Sequence, residues 1–290
     1  MVVRRRRKSP FVKLFTKTPK GVVCPHFYEL VLSNGCPFNC SYCYLKLTFR
    51  GESHPTLFTN PWREVQRELD TLRLDGVCVF ATGELADSLA ITPPLLKDAL
   101  VYFTQKNDRY LLLLTKSVNT NILKKREPSN QIIVSFSVNS EPSARRFEKG
   151  VPSPLKRLEA AKELKEKGWR VRIRLDPIIL DTGLGGYRKI AQGIAALKPE
   201  MVTLGSLRQY PMLYAFQPNA PRAELEKSWD GRMRYPVKTR VKVYSQIAEW
   251  LGFQPSLCKE TVEVWKELSW KFDGCNCTGE NDRPKKMQRM

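Results

Sequence analysis

Six short apolar runs, each followed by a stretch of helical period, constrain this chain more than any other feature. They are FYELVLS (27–33), VCVFAT (77–82), YLLLLT (110–115), IIVSFS (132–137), WRVRIR (169–174) and MVTLG (201–205). Runs of this length, rich in β-branched and aromatic residues and separated by amphipathic segments, read as strands of a parallel sheet built from βα units. Asn60-Pro61 has the form of a helix start, an N-cap residue before proline at the first helical position. TPPLLKDALVYFTQK, SPLKRLEAAKELKEKG with Gly168 as its stop, a segment near Tyr187–Leu197 and VKTRVKVYSQIAEWLG ended by Gly252 supply further helices. Right-handed crossovers make six such units an α/β fold, a partial (βα)6 TIM-like barrel, with reactive groups expected at the C-terminal edges of the strands.

The 290 residues suffice for one large core. Without a linker, repeat or low-complexity tract, residues 22–257 read as one domain, with a basic N-terminal arm at 1–21 and a cysteine-containing extension at 258–290. MVVRRRRKS begins like a secretory signal, but SPFVKLFTKTPK after it never becomes an apolar run. No window approaches the roughly 18 apolar residues of a membrane span, so a soluble, cytoplasmic protein is expected.

Lysine and arginine number 49 against 29 acidic residues, a formal charge of +20, which points to a polyanionic partner, DNA or RNA above all. Arg4 to Lys8 and the tail RPKKMQRM concentrate charge at both termini, where it can meet phosphates. Arg172 and Arg174 alternate with apolar neighbours and share one face of the fifth strand; if that face is the barrel lumen, they suit a phosphate or carboxylate. Arg208 follows the sixth strand toward the same rim.

The eight cysteines, at 24, 36, 40, 43, 78, 258, 275 and 277, cluster as metal ligands do rather than as a disulfide framework. Cys36, Cys40 and Cys43 stand in C-x3-C-x2-C spacing directly after the first strand, where a loop can wrap three thiolates around a [4Fe-4S] cube and leave one iron open. Structural zinc would want a fourth protein ligand, and the histidines are only His26 and His54. Cys258, Cys275 and Cys277 form a second group, a candidate auxiliary iron-sulfur cluster or simply loop thiols, with Cys24 a fourth ligand by type only. Cys78 reads as a core residue: six strand residues, about 20 Å at roughly 3.3 Å each, separate it from Glu84.

CPFNCSYC resembles the C-x3-C-x-aromatic-C motif of the radical S-adenosylmethionine superfamily, with Tyr42 at the aromatic position. The resemblance implies that Cys36, Cys40 and Cys43 hold the cluster and that S-adenosylmethionine chelates the open iron. One-electron reduction by a donor such as ferredoxin or flavodoxin would then yield a 5′-deoxyadenosyl radical. ATGE, ending the second strand, is similar to the superfamily's Gly-Gly-Glu element, so Glu84 would meet the methionine ammonium, with Gly83 allowing close backbone approach. CSYCYL, LLTKS (113–117), SFSVNSE (135–141), RLDPII (174–179) and LCKETVEVW (257–265) resemble spore photoproduct lyases and their relatives. That likeness implies hydrogen-atom relay by Tyr42 and Tyr44, and a cofactor pocket lined by Lys116, Ser137, Asn139 and Arg174. One departure stands out: the lyases carry a hydrogen-donating cysteine just after strand two, where this chain has TGELADS.

The implied activity is hydrogen abstraction from a nucleic acid, in DNA repair or nucleic-acid modification. Radical modification of a peptide or protein would call for a leader-binding domain, for which the short tails leave little room. A non-catalytic iron-sulfur nucleic-acid binder would need neither Glu84 nor an incomplete ligand set.

Overall fold

All six apolar runs are strands of one curled sheet. The computed structural model describes residues 2–51, 54–74, 76 and 78–279; the tail RPKKMQRM lies outside them. The sheet comprises β1 (Val12–Phe15), β2 (Phe27–Leu30), β3 (Cys78–Ala81), β4 (Arg109–Thr115), β5 (Ile132–Val138), β6 (Arg170–Ile178), β7 (Met201–Ser206) and β8 (Ser256–Leu257). Its spatial order is the order of the sequence, β1 to β8, and every pairing is parallel except the antiparallel β1–β2. The result is an α/β half-barrel of eight strands, two more than the apolar runs. β1 comes from the segment read as an arm, and the two-residue β8 is too short to carry a periodic signal. Val3–Arg5 also pairs in parallel with Thr56–Phe58, so the segment read as an arm is anchored to sheets at two places.

Helices α1 (Trp62–Thr71), α2 (Pro94–Thr104), α3 (Pro154–Glu166), α4 (Tyr187–Leu197) and α5 (Val237–Leu251) follow the sequence periods. Ser153 caps α3 by accepting from Lys156 N at 3.3 Å, and Gly252 ends α5 at φ 77°. Asn60 does not cap α1. Its side chain instead exchanges hydrogen bonds with the backbone of Arg7 and donates to Glu64 at 2.7 Å, tying the N-terminal segment down.

Strand alternation sorts the sheet into two faces. Leu111, Leu113, Val134, Phe136, Val171, Ile173, Val202 and Leu204 face the helices and make the main core. Phe27, Val79, Ala81, Leu112, Leu114 and Ile133 line the concave face, where Cys275 and Cys277 pack against them. Cys78 packs at the margin of the main core, as its place in a strand implies. The concave face also carries polar residues, and these position the site. Among the described residues no helix is long and apolar enough to cross a membrane.

Candidate functional site

The C-terminal edges of β2 to β7 converge on one pocket of about 400 Å³, a size suited to a cofactor-sized ligand. Cys36, Cys40, Cys43, Tyr42 and Tyr44 come from the loop after β2, Gly83 and Glu84 from that after β3, Lys116 from β4's end, Ser137 from β5 and Arg174 from β6. A cleft of about 500 Å³ lies among Lys198, Glu200, Phe253 and Gly274, but Glu200 there is already committed to Arg170 and Arg172.

The cysteine loop is shaped from both ends. Gly35 adopts φ 74° and its N–H donates to Leu85 O at 2.8 Å, a conformation for which glycine is the natural residue. Asn39–Cys40 pairs antiparallel with Glu148–Lys149, and Ser41 N donates to Phe147 O at 2.9 Å. Behind this ribbon Glu148, 1 % exposed, forms an ion pair with the fully buried Arg157. The Glu148 carboxylate also accepts from the Tyr42 hydroxyl and from Asn139 Nδ2 at 3.1 Å. Burial opposes ionisation of Glu148, yet Arg157 and then Lys116 hold its carboxyl below the ordinary range. Burial and the facing carboxylate raise the Tyr42 hydroxyl well above the usual tyrosine value, so it keeps its hydrogen.

Burial pushes the Cys36 thiol up to about 12, with Asp87 adding to the shift, and raises Cys40 and Cys43 as well. Lys116 acts in the opposite sense on all three. Three thiols that face one cation, Cys40 buried and Cys36 and Cys43 partly so, suit a cluster able to take them as thiolates. Cys36, Cys40 and Cys43 all line this pocket, and a set of three thiolates is the donor set of an iron-sulfur cube with one open iron rather than that of four-coordinate structural zinc.

A Cβ on Gly83 would lie 2.3 Å from Leu114 Cβ, so the backbone can run this close only as glycine. The Glu84 carbonyl accepts from the Tyr44 hydroxyl, fixing a ring that stands half-exposed at the mouth. Asp87 accepts from Thr115 Oγ1 and Lys116 N, both at 2.6 Å, and from Leu89 N and Ala90 N: it is the clasp between the β3 and β4 loops. Across the pocket Asp176 accepts from Arg174 at 2.7 Å and from Arg208 at 3.1 Å. Burial alone would raise its pKa, but Arg208 and Arg174 reverse this and drive it far below the carboxylate range. Gly205 makes room, since a Cβ there would sit 2.5 Å from Asp176 Oδ1. Arg174 Nε is buried without a partner, a donor available to a ligand.

Two expected residues are not in the pocket wall. Asn139 is fully buried behind it, its amide bound to Glu148, Ser140 and Tyr187. Arg172 is on the concave face but is consumed by Glu200 and by the carbonyls of Cys275, Asn276 and Thr278, so it offers nothing to a phosphate. Arg208 does reach the pocket rim, where Lys17, Tyr210, Arg232 and Lys259 join it. Nothing in the sequence pattern singled out these four. Lys17 is one of many arm cations, Lys259 and Asp176 sat within quoted stretches, and Tyr210 and Arg232 belong to the 207–235 excursion that lacks periodicity.

The sequence model of the spore photoproduct lyase family matches residues 24–205. Spore photoproduct lyase of Bacillus subtilis (strain 168) is 27 % identical over 185 residues, covering 60 % of this chain and 53 % of that one. That of Geobacillus sp. (strain Y412MC61) is 26 % identical over 174 residues, covering 58 % and 51 %. The chain thus spans about half the length of the curated relatives it matches. A solved spore photoproduct lyase double mutant with bound AdoMet and dinucleoside spore photoproduct superposes with a TM-score of 0.72 at 19 % identity, covering 88 % of this chain and 81 % of its own, which is a likeness of fold. With the family match running from the strand before the cysteine loop to the glycine of β7, the chain belongs to the spore photoproduct lyase family.

Proposed function

We propose that the protein is a radical S-adenosylmethionine enzyme that abstracts a hydrogen atom from a nucleic acid, in DNA repair or nucleic-acid modification. The observation that carries this reading is the meeting of Cys36, Cys40, Cys43, Gly83, Glu84, Lys116 and Ser137 around one pocket, all from the C-terminal edges of the strands. Bound there, a [4Fe-4S] cluster and S-adenosylmethionine supply reductive cleavage of the sulfonium to a 5′-deoxyadenosyl radical, with electrons from a ferredoxin- or flavodoxin-type donor.

The chain's own residues then have distinct tasks. The three thiols hold the cluster, and the Tyr42–Glu148–Arg157 network fixes the ribbon that carries Cys40. Gly83 lets a ligand approach the backbone, and Glu84 offers a carboxylate to the methionine ammonium. Tyr44 stands at the mouth, where a hydrogen-atom relay to substrate is sterically open; Tyr42, partly buried and bound to Glu148, is a positioning residue for the cluster loop. Lys17, Arg232 and Lys259 make the rim cationic beside the Asp176-paired Arg208, and exposed Tyr210 and Trp229 lie in the 207–235 excursion, a combination suited to phosphates and unstacked bases. A solved spore photoproduct lyase is complexed with dinucleoside spore photoproduct, which favours a nucleic acid over a peptide as the substrate class.

The test is anaerobic incubation of reconstituted protein with dithionite and S-adenosylmethionine, with and without DNA or RNA. 5′-Deoxyadenosine is expected, with hydrogen from the nucleic acid incorporated into it. Its complete absence from protein that carries iron and sulfide refutes the radical chemistry; formation that ignores nucleic acid but responds to peptide refutes the substrate class.

A further inference from the structure

Beneath the pocket just described, on its floor, lies a second small cavity lined by Cys24, Cys258, Cys275 and Cys277 together with Phe27, Glu84, Arg174 and Lys259. Three separate structural devices bring these four thiols together from opposite ends of the chain. Val22–Val23 pairs antiparallel with Glu260–Thr261, which sets Cys24 beside Cys258. Lys259 turns the chain at φ 48°, a left-handed conformation costly for a residue with a Cβ. The turn is held because the buried Glu260 next to it accepts from Arg240, from Tyr244 at 2.7 Å and from Thr261 N at 2.7 Å.

The third device is the Cys-Asn-Cys turn. The side chain of Asn276 donates to Ile173 O at 3.1 Å and Thr203 Oγ1 at 2.9 Å, and accepts from Ser135. Arg172 gathers the carbonyls of Cys275, Asn276 and Thr278 from below. These bonds insert residues 274–278 into the concave face and leave the Cys275 and Cys277 side chains buried among Val79, Ala81, Leu112 and Leu114. All this buried polar machinery serves to hold two thiols in place.

We infer that Cys24, Cys258, Cys275 and Cys277 form a second metal centre, ligated by four thiolates. Nothing in this inference rests on the reading of the upper pocket. A tetrathiolate centre is anionic and needs cations around it when buried. Arg174 and Arg208 donate to Cys258 Sγ at 3.0 and 3.2 Å, and Lys259 faces Cys24 and Cys258, against the carboxylates of Asp176 and Glu84. The cavity among the thiols measures about 20 Å³ and, among the described residues, no three of them converge on a point, so either a single ion or a cluster would draw the side chains into place around it. Glu84 and Arg174 line both cavities, so this centre would abut the floor of the upper pocket.

The test uses the full chain with Cys36, Cys40 and Cys43 replaced by alanine, which silences the first set. Anaerobically purified and reconstituted, this variant is expected to retain one centre per chain, read as about four irons and four sulfides or as one zinc, with sulfur-only coordination by X-ray absorption. Adding Cys24→Ser or Cys275→Ser should abolish that metal, while circular dichroism reports whether the variant still folds; a folded variant that loses metal supports the site. Failure to retain metal in the triple variant, or disulfides among the four thiols by mass spectrometry, overturns it. Metal retained at unchanged stoichiometry after both serine substitutions overturns it as well.

Discussion

Replacing Glu148 with alanine tests the claim that a buried ion pair holds the cysteine loop. Arg157 is fully buried, and among the described residues it donates, beyond the carboxylate, to the carbonyls of Pro152 and Ser137, at 2.8 Å each. Removing the partner leaves an uncompensated guanidinium, at about 3–5 kcal/mol for a broken buried pair. Taking roughly 2 °C per kcal/mol for a chain approaching 300 residues, the melting temperature should fall by about 6–10 °C. Glu163→Ala removes an exposed partner of Lys124 and is the control, with a cost of about 0–1 kcal/mol. The sign with pH is also fixed. The folded pKa of Glu148 is lowered, so its contribution is complete above the ordinary glutamate range and is lost as pH falls through the folded value. The gap between wild type and Glu148→Ala, read by thermal scans at intervals from pH 7 to pH 3, should therefore narrow in acid. A variant that melts within 1 °C of wild type at pH 7, or a gap that widens in acid, refutes the reasoning.

Gly83→Ala places a methyl against Leu114, so overpacking of about 1–3 kcal/mol and weakened S-adenosylmethionine binding by calorimetry are expected. Arg172→Ala frees three carbonyls of the 275–278 turn, and limited proteolysis should then cut the segment near Gly274 much faster than in wild type. Arg232→Gln and Lys17→Gln at the rim should each reduce the salt dependence of single-stranded DNA binding by a slope of about one, measured by fluorescence anisotropy. An unchanged slope would remove both residues from the phosphate path.

What could be read from residue order alone follows the range over which each signal acts. The six strands, the helical period of α3 and the Gly252 stop are local patterns and are legible as such, whereas the Asn60-Pro61 start signal misleads because Asn60 is drawn to the backbone of Arg7. The cysteine loop is legible too, because its three ligands fall within eight residues. The pairing of Val12–Phe15 with β2 is not, since a short antiparallel edge strand inside a basic segment has no distinctive period. Arg172 shows the limit most clearly: alternation placed it on the concave face, but its partners, Glu200 and residues 275–278, lie roughly 30 and 100 positions away, and no spacing rule reaches so far. Asn139 went behind the wall for the same reason, drawn there by Glu148 and Tyr187.

A sheet whose spatial order copies its sequence order can be assembled at the ribosome one edge at a time, since each new parallel strand finds its neighbour already laid down. The turn at 274–278 breaks this rule, for it folds back onto strands made long before it, as does Glu260–Thr261 on Val22–Val23. A nascent chain halted ahead of Gly274 would present a curled sheet with Ser135 and Thr203 uncovered on its hollow side and Arg172 held there by Glu200, and synthesis of residues 274–278 is what covers them.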